Sequence, residues 1–249
     1  MTHRQRLTLL AAVLGSGVAT LDGTIVNVAL PAIERDLGGG LTAQQWVVNA
    51  YLLALGSLIL IGGSLGDIYG VRRVFAVGVV AFGVFSVACA LAPTIGVLIA
   101  ARTLQGAAAA LLVPSSLAII IGAFSPQERG PAIGSWTAWS GIAAVIGPLA
   151  GGVIVDQASW RWVFALNIPL VVVTVLLVLA AVPPTPKVSG RRVDVLGAVL
   201  CAAGLGGIVF ALIQQPRLGW STPAIIVPLV GGALALAGFL AYERRAAQP

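Results

Sequence analysis

The 249 residues are 59% hydrophobic and only 9% charged, with a mean hydropathy of +1.03 and a net charge of +6. Soluble domains carry about 25% charged residues, and a soluble core of this length could not hide so much apolar surface behind so few charges. A lipid bilayer can. The pI near 10.4 would suggest nucleic acid in a soluble chain, but the basic residues sit in short clusters between apolar runs, so no nucleic-acid partner is expected. Cys89 and Cys201 both lie inside apolar stretches and read as small packing residues. The single histidine, His3, is in the N-terminal tail, and no Cys/His spacing suggests a metal.

A helix needs roughly 20 apolar residues to cross the hydrocarbon layer. Eight segments qualify: residues 7–30, 46–65, 75–92, 95–121, 131–155, 162–182, 195–213 and 223–242. The breaks between them are polar or turn-forming: Glu34-Arg35-Asp36, then 67–73, Pro93-Thr94, 126–130, 159–161, 183–194 and 216–221. The basic start and the apolar run from Leu7 also resemble a secretory signal. The apolar pattern continues to Leu30, so the segment reads as a span.

Loop charge sets orientation. With the N-terminus inside, the inner loops hold ten cations: Arg4, Arg6, Arg72, Arg73, Arg129, Lys187, Arg191, Arg192, Arg244 and Arg245. The outer loops hold three, Arg35, Arg161 and Arg217. Both ends are therefore expected in the cytoplasm, with the chain in the cell membrane. Trp46, Trp160, Trp162 and Trp220 fall near outer ends, where an interfacial aromatic belt would place them.

Two ionisable residues lie within the spans, Asp22 and Arg102. A buried charge costs roughly 2.5–3.5 kcal/mol even on the lenient insertion scale, so each needs a partner or water. At 1.5 Å per residue, Asp22 lies about 15 Å and Arg102 about 10 Å inward from the same outer face. A direct or water-bridged pair is feasible. It could merely lock the first span to the fourth, or it could hold a carboxylate that gains and loses a proton as a cation passes, tuned by the nearby guanidinium. Gln105 follows Arg102 by three residues, on the same helix face.

Glycine marks two further stretches. Ile61-Gly62-Gly63-Ser64-Leu65-Gly66-Asp67 closes the second span, and Ile146-Gly147-Pro148-Leu149-Ala150-Gly151-Gly152 lies in the fifth, shortly before Asp156. The two hint at an inverted repeat. Pro148 frees a backbone carbonyl and bends a helix. Gly147 and Gly151 form a G-x-x-x-G face for close packing. No G-x-x-x-x-G-K-[ST] loop is present, the one lysine is Lys187, and no G-x-S-x-G or H-E-x-x-H appears. No enzyme activity or cofactor is expected, and an ion gradient remains as the energy source.

Five stretches in order carry a resemblance. Leu21-Asp22-Gly23-Thr24-Ile25-Val26-Asn27-Val28-Ala29-Leu30-Pro31 resembles the first-helix signature of the fourteen-helix drug:proton antiporters of the major facilitator superfamily. Gly63-Ser64-Leu65-Gly66-Asp67-Ile68-Tyr69-Gly70-Val71-Arg72-Arg73 is similar to the superfamily's loop two–three motif, departing at Ile68 and Val71 where basic residues are usual. Arg102-Thr103-Leu104-Gln105-Gly106 looks like its fourth-helix motif. Gly134, Gly147-Pro148 and Gly151-Gly152 match the fifth-helix antiporter motif, with Ala143 in place of a glycine. Trp160-Arg161-Trp162-Val163-Phe164 with Asn167-Ile168-Pro169 resembles the start of helix six in that branch.

The resemblance implies an all-α membrane protein of the major facilitator fold. Residues 1–182 would form an N-terminal six-helix bundle, 183–194 a basic cytoplasmic linker, 195–242 two additional helices, and 243–249 the start of a linker to a missing C-terminal half. It implies proton-coupled efflux of lipophilic drugs or small metabolites, with Asp22, Asn27, Arg102 and Gln105 at the coupling site and substrate cavity. Gly63, Asp67, Gly70, Arg72 and Arg73 would make a cytoplasmic gate, and Gly134, Gly147, Pro148, Gly151 and Gly152 a bend that limits leak. The proton, the substrate, membrane lipid and the missing half-transporter are the expected partners. A superfamily importer of a small solute and a non-transporting membrane scaffold remain as alternatives.

Overall fold

A computed structural model describes residues 1–184 and 194–244. Lys187, Arg191, Arg192 and Arg245, four of the cations in the expected inner loops, lie outside the described residues, as do most of the expected basic linker and nearly all of the terminal segment 243–249. Helices α1 (His3–Leu37), α2 (Gly40–Tyr69), α3 (Val71–Ala90), α4 (Ile95–Ala123) and α5 (Pro126–Gln157) come first. The short α6 (Arg161–Ala165) and α7 (Asn167–Ala181) follow as one span, with helical backbone at Leu166 between them, and then α8 (Val195–Leu218) and α9 (Pro223–Glu243). Among the described residues, eight spans are long and apolar enough to cross a membrane, and no strand occurs.

The helices outrun the apolar segments that announce them. Glu34-Arg35-Asp36 lies in the last turn of α1, and the chain reverses at Gly38, Gly39 and Gly40, all at positive φ. Such backbone is nearly free only to glycine. The expected loop 67–73 shrinks to Gly70 alone, at φ 91°. The expected break 126–130 is instead the first turn of α5, where Ser125 and Glu128 cap each other's free amides. Charged residues end the apolar pattern here, but helix caps and glycines end the helices.

Helix α1 is the hub, packing on α2, α4, α5, α6 and α7. Helices α2 and α4 lie against each other most extensively, α3 covers α4 and α7, and α8 packs on α9 and α2. Close approach comes from small residues: a methyl group at Gly62 would overlap the Ala110 carbonyl, and one at Gly106 would overlap that of Tyr51. Apolar burial drives nothing between helices already in lipid, so contact of this kind is what holds such a bundle together.

Arginines at one end of the bundle close helix termini. Arg4 Nε donates to the Ala181 carbonyl at 3.1 Å, and Arg72 Nη2 to that of Leu179 at 3.0 Å, both in the last turn of α7. Arg129 Nε reaches the carbonyls of Ile121, in the last turn of α4, and Phe124, just past it, at 3.1 and 3.2 Å. Their charge also complements the negative ends of the helix dipoles. Arg129→Ala should cost about 0.3–1 kcal/mol, read as a lowered midpoint of unfolding in detergent, while Arg73→Ala, an exposed cation, should stay within about 0.5 kcal/mol.

At the other end Asp36 accepts from Trp160 Nε1 at 3.0 Å and from Arg161 Nη1, and Arg161 Nη2 donates to the Ala92 carbonyl at 3.2 Å. Trp160 is thus buried, and Trp46 packs on Phe210 of α8 with ring centroids 6.1 Å apart. Only Trp162 and Trp220 of the expected aromatic belt are exposed. An indole N–H and a large ring also serve protein contacts, and position near a helix end does not distinguish the two uses.

Candidate functional site

Asp22 of α1 is fully buried, and three side chains from two other spans donate to its carboxylate. Arg102 Nη1 contacts Oδ2 directly, so the pair that depth alone made feasible is a closed ion pair. Gln105 Nε2 reaches Oδ1 at 3.1 Å and Asn167 Nδ2 reaches the same oxygen at 2.7 Å. Arg102 in turn donates to Gln105 Oε1 at 2.7 Å and, through Nε, to the Val47 carbonyl at 3.1 Å. Its guanidinium lies 4.2 Å from the centre of the Tyr51 ring and 5.8 Å from that of Phe164. Both charges thereby gain the partners that a low-dielectric interior demands.

Helix geometry explains who meets whom. Arg102 and Gln105 are three apart and project from the same face of α4 into the bundle core. Ser86 of α3 accepts from Gln105 Nε2 at 2.7 Å and from Asn167 Nδ2 at 3.1 Å. Cys89, one turn along α3 from Ser86, contacts Gln105 Oε1 at 3.6 Å, a weak thiol bond added to its packing role. Four spans therefore converge on one carboxylate and one hydroxyl.

Asn27 does not join them. Five residues from Asp22 it turns to another face of α1, is exposed, and bonds back to the Gly23 and Thr24 carbonyls at 3.1 and 3.2 Å. Two participants escaped the sequence reading. Asn167 lies in the stretch that resembles the start of helix six, with no role implied for it, and Ser86 lies in no motif. A polar residue inside an apolar span was the available signal for both.

The fifth-helix residues meet the first-helix stretch. A methyl at Gly147 would overlap Thr24 Oγ1, one at Gly151 would come within 2.7 Å of Ile25 Cγ1, and Gly152 faces Val28. Pro148 sits between these contacts with α5 continuous through it. Gly134 faces open space, exposed and far along the helix from them. Beside this seam Trp136 Nε1 donates to Ser16 Oγ at 2.7 Å, and an apolar cleft opens between α1 and α5, lined by Leu14, Gly17, Leu21, Trp139 and Ile146.

At the α2–α3 turn the structure gathers Gly70, Arg72 and Arg73 around a pocket with Tyr69 and Leu179. Gly63 faces Pro114 of α4 at 3.8 Å, and Asp67 is half-buried at the end of α2. No group of three or more potential metal ligands occurs among the described residues.

Known proteins fit this arrangement. Residues 12–247 match the sequence profile of the Major Facilitator Superfamily. The chain is 43% identical over 235 residues to the puromycin resistance protein pur8 of Streptomyces alboniger, covering 93% of this chain and 46% of that protein. It is 40% identical to the multidrug resistance protein Stp of Mycobacterium tuberculosis, over 100% of this chain and 47% of that protein. To the probable actinorhodin transporter of Streptomyces coelicolor the identity is 39%, over 98% and 43% of the two chains. The chain thus spans about half the length of the curated relatives it matches. In fold it resembles the crystal structure of the peptide transporter POT in complex with sulfate, with a TM-score of 0.69 at 15% identity over 95% of this chain and 51% of that one. A similar likeness holds to a bacterial homolog of the human lysosomal transporter Spinster in an inward-facing state, with a TM-score of 0.58 at 18% identity over 98% and 64%. Eight apolar spans, glycine-mediated helix contacts and a profile match across nearly the whole chain lead to one conclusion: the protein is a multi-pass membrane chain of the Major Facilitator Superfamily, a family of transporters and not of enzymes.

Proposed function

We infer that this chain forms the N-terminal part of a proton-coupled exporter of lipophilic drugs or small metabolites. The observation that carries the reading is the buried Asp22–Arg102 pair with Gln105, Asn167 and Ser86 around it. An ion pair in a membrane interior is expensive and adds little net stability by itself, so a working role is the stronger account of its presence. Export follows the resistance proteins and the probable transporter that the sequence resembles. Alternating access requires a second bundle to rock against this one, and the half-length match to the relatives supports a second bundle as partner.

In the proposed cycle the Asp22 carboxylate takes one proton from water on the proton-rich side. That weakens its hold on Arg102 and favours one orientation of the bundles. The same proton leaves to water on the other side, the ion pair re-forms, and substrate moves the opposite way. The apolar cleft between α1 and α5, with Trp139 on its wall, offers a surface for an aromatic or aliphatic body. At the end of the bundle holding Arg72 and Arg73, the proposed cytoplasmic end, Gly63, Asp67 and Gly70 would meet the second half as a gate, and the bend at Pro148 would limit leak. The basic cluster there also supports a cytoplasmic placement of both termini in the cell membrane.

The test is dye efflux from proteoliposomes holding the chain together with a second six-helix bundle. An imposed proton gradient should drive ethidium against its concentration, and Asp22→Asn should abolish the dependence on the gradient. Efflux that persists unchanged when the gradient is collapsed would overturn proton coupling.

A further inference from the structure

Asp22 Oδ1 and Ser86 Oγ are bridged twice, each bridge being a carboxamide nitrogen that donates one hydrogen to either oxygen. Gln105 Nε2 makes one bridge at 3.1 and 2.7 Å, and Asn167 Nδ2 makes the other at 2.7 and 3.1 Å. The two amides are not equally held. Gln105 Oε1 accepts from Arg102 Nη1 at 2.7 Å and from Cys89 at 3.6 Å, so turning that amide would press its NH2 against a guanidinium. Asn167 is fully buried, yet its Oδ1 has no hydrogen-bond partner among the described residues. A buried carbonyl left unpaired is unusual and costly, and here it means that nothing holds this amide against rotation except its two donated bonds.

With the Arg102 guanidinium against Oδ2, the proton of a neutral Asp22 falls on Oδ1, where the two donated bonds suit only the ionised form. A carboxylate is a pure acceptor and takes both NH2 groups, whereas a protonated carboxyl presents an O–H that must itself find an acceptor. The groups facing Asp22 leave little choice. From α4 come Arg102, a donor, and Gln105, whose oxygen is already engaged. From α2 comes Tyr51, whose hydroxyl donates to the Ala19 carbonyl at 2.9 Å. From α3 come Cys89, bonded to Gln105, and Ser86. Helix α6 offers only the Phe164 ring, and α5 meets this stretch of α1 through Gly147 and Gly151. Asn167, on α7, is the remaining member.

We propose that the Asn167 carboxamide is a protonation-dependent positioning switch, turning end for end when Asp22 takes up its proton. Turned, Asn167 Oδ1 accepts the Asp22 O–H and the Ser86 hydroxyl, replacing the two bonds that Nδ2 donated. One end of the amide is unpaired in either orientation, which keeps the two states close in energy. The proton itself stays on Asp22, and Asn167 only changes which end it presents. Because Asn167 opens α7 at its junction with α6, the turn links the charge state of α1 to the sixth span. The inference rests on Asp22 being the proton-carrying group.

The chain contains three asparagines, Asn27, Asn49 and Asn167, so labelling with 15N-asparagine yields three side-chain carboxamides in nuclear magnetic resonance spectra. The labelled chain, in lipid nanodiscs, is titrated with acid. In parallel the infrared band of the protonated Asp22 carboxyl is followed, assigned by its loss in Asp22→Asn or its displacement in Asp22→Glu. The Asn167 carboxamide pair, identified by its loss in Asn167→Ser, should move with the same midpoint as the infrared band, while Asn27 and Asn49 stay still. In whichever Asp22 variant folds, the Asn167 response should vanish for Asn or follow the displaced midpoint for Glu. A carboxyl band that titrates while the Asn167 resonances do not follow overturns the switch and leaves proton coupling intact. Absence of any protonated Asp22 over the range in which the chain stays folded overturns both.

Discussion

Arg102→Leu should destabilise the folded chain by about 3–5 kcal/mol, the cost of leaving a buried carboxylate without its counter-charge. The side chain also holds the Val47 carbonyl, Gln105 and the Tyr51 ring, so its loss removes polar links from α4 to both α1 and α2. Adding Asp22→Asn removes the stranded charge, and the double variant should recover about half or more of the deficit, because the remaining losses are ordinary hydrogen bonds worth about 0.5–1.5 kcal/mol each. Thermal or denaturant unfolding in detergent reads both variants. A double variant as unstable as the single one would mean that Arg102 acts through packing and not through its charge.

Gly106→Ala should lose about 1–3 kcal/mol, although alanine improves helix propensity over glycine by roughly 0.8–1.0 kcal/mol. The new methyl would overlap the Tyr51 carbonyl oxygen and lie 3.0 Å from its carbon, against backbone that cannot move without parting α2 from α4. The damage should reach the site, since Gln105 is the preceding residue and Tyr51 lies under the Arg102 guanidinium. Gly134→Ala is the contrast. Its methyl meets nothing within 4 Å, so the propensity gain should stand uncancelled and the melting midpoint should hold or rise. Equal effects at the two glycines would refute close helix contact as the reason for Gly106.

Both expectations draw on residues that stood out in the chain and on neighbours that did not. Asp22 and Arg102 were conspicuous because ionisable groups are rare in apolar spans, and the rise per residue placed them at matching depth. Gln105 followed from helical spacing. Asn27 shows where such reasoning stops: it shares a motif with Asp22, but the helical rotation between them turns it outward. The glycines around Gly147 were visible as a small face, yet which helix they receive depends on the packing of α5 on α1. The arginines read as topology signals also close the ends of α4 and α7, a role that needs the third dimension to appear.

The sequence by itself determined that this is a membrane chain of eight apolar helices carrying one acid and one base in its spans, because hydropathy and length are local properties that lipid enforces on each helix separately. Tertiary structure decided that the acid and base touch and that Ser86 and Asn167 join them, while Asn27 does not. The physical reason is that lipid dictates that a buried charge must find partners, but only the rotation and approach of neighbouring helices choose which ones.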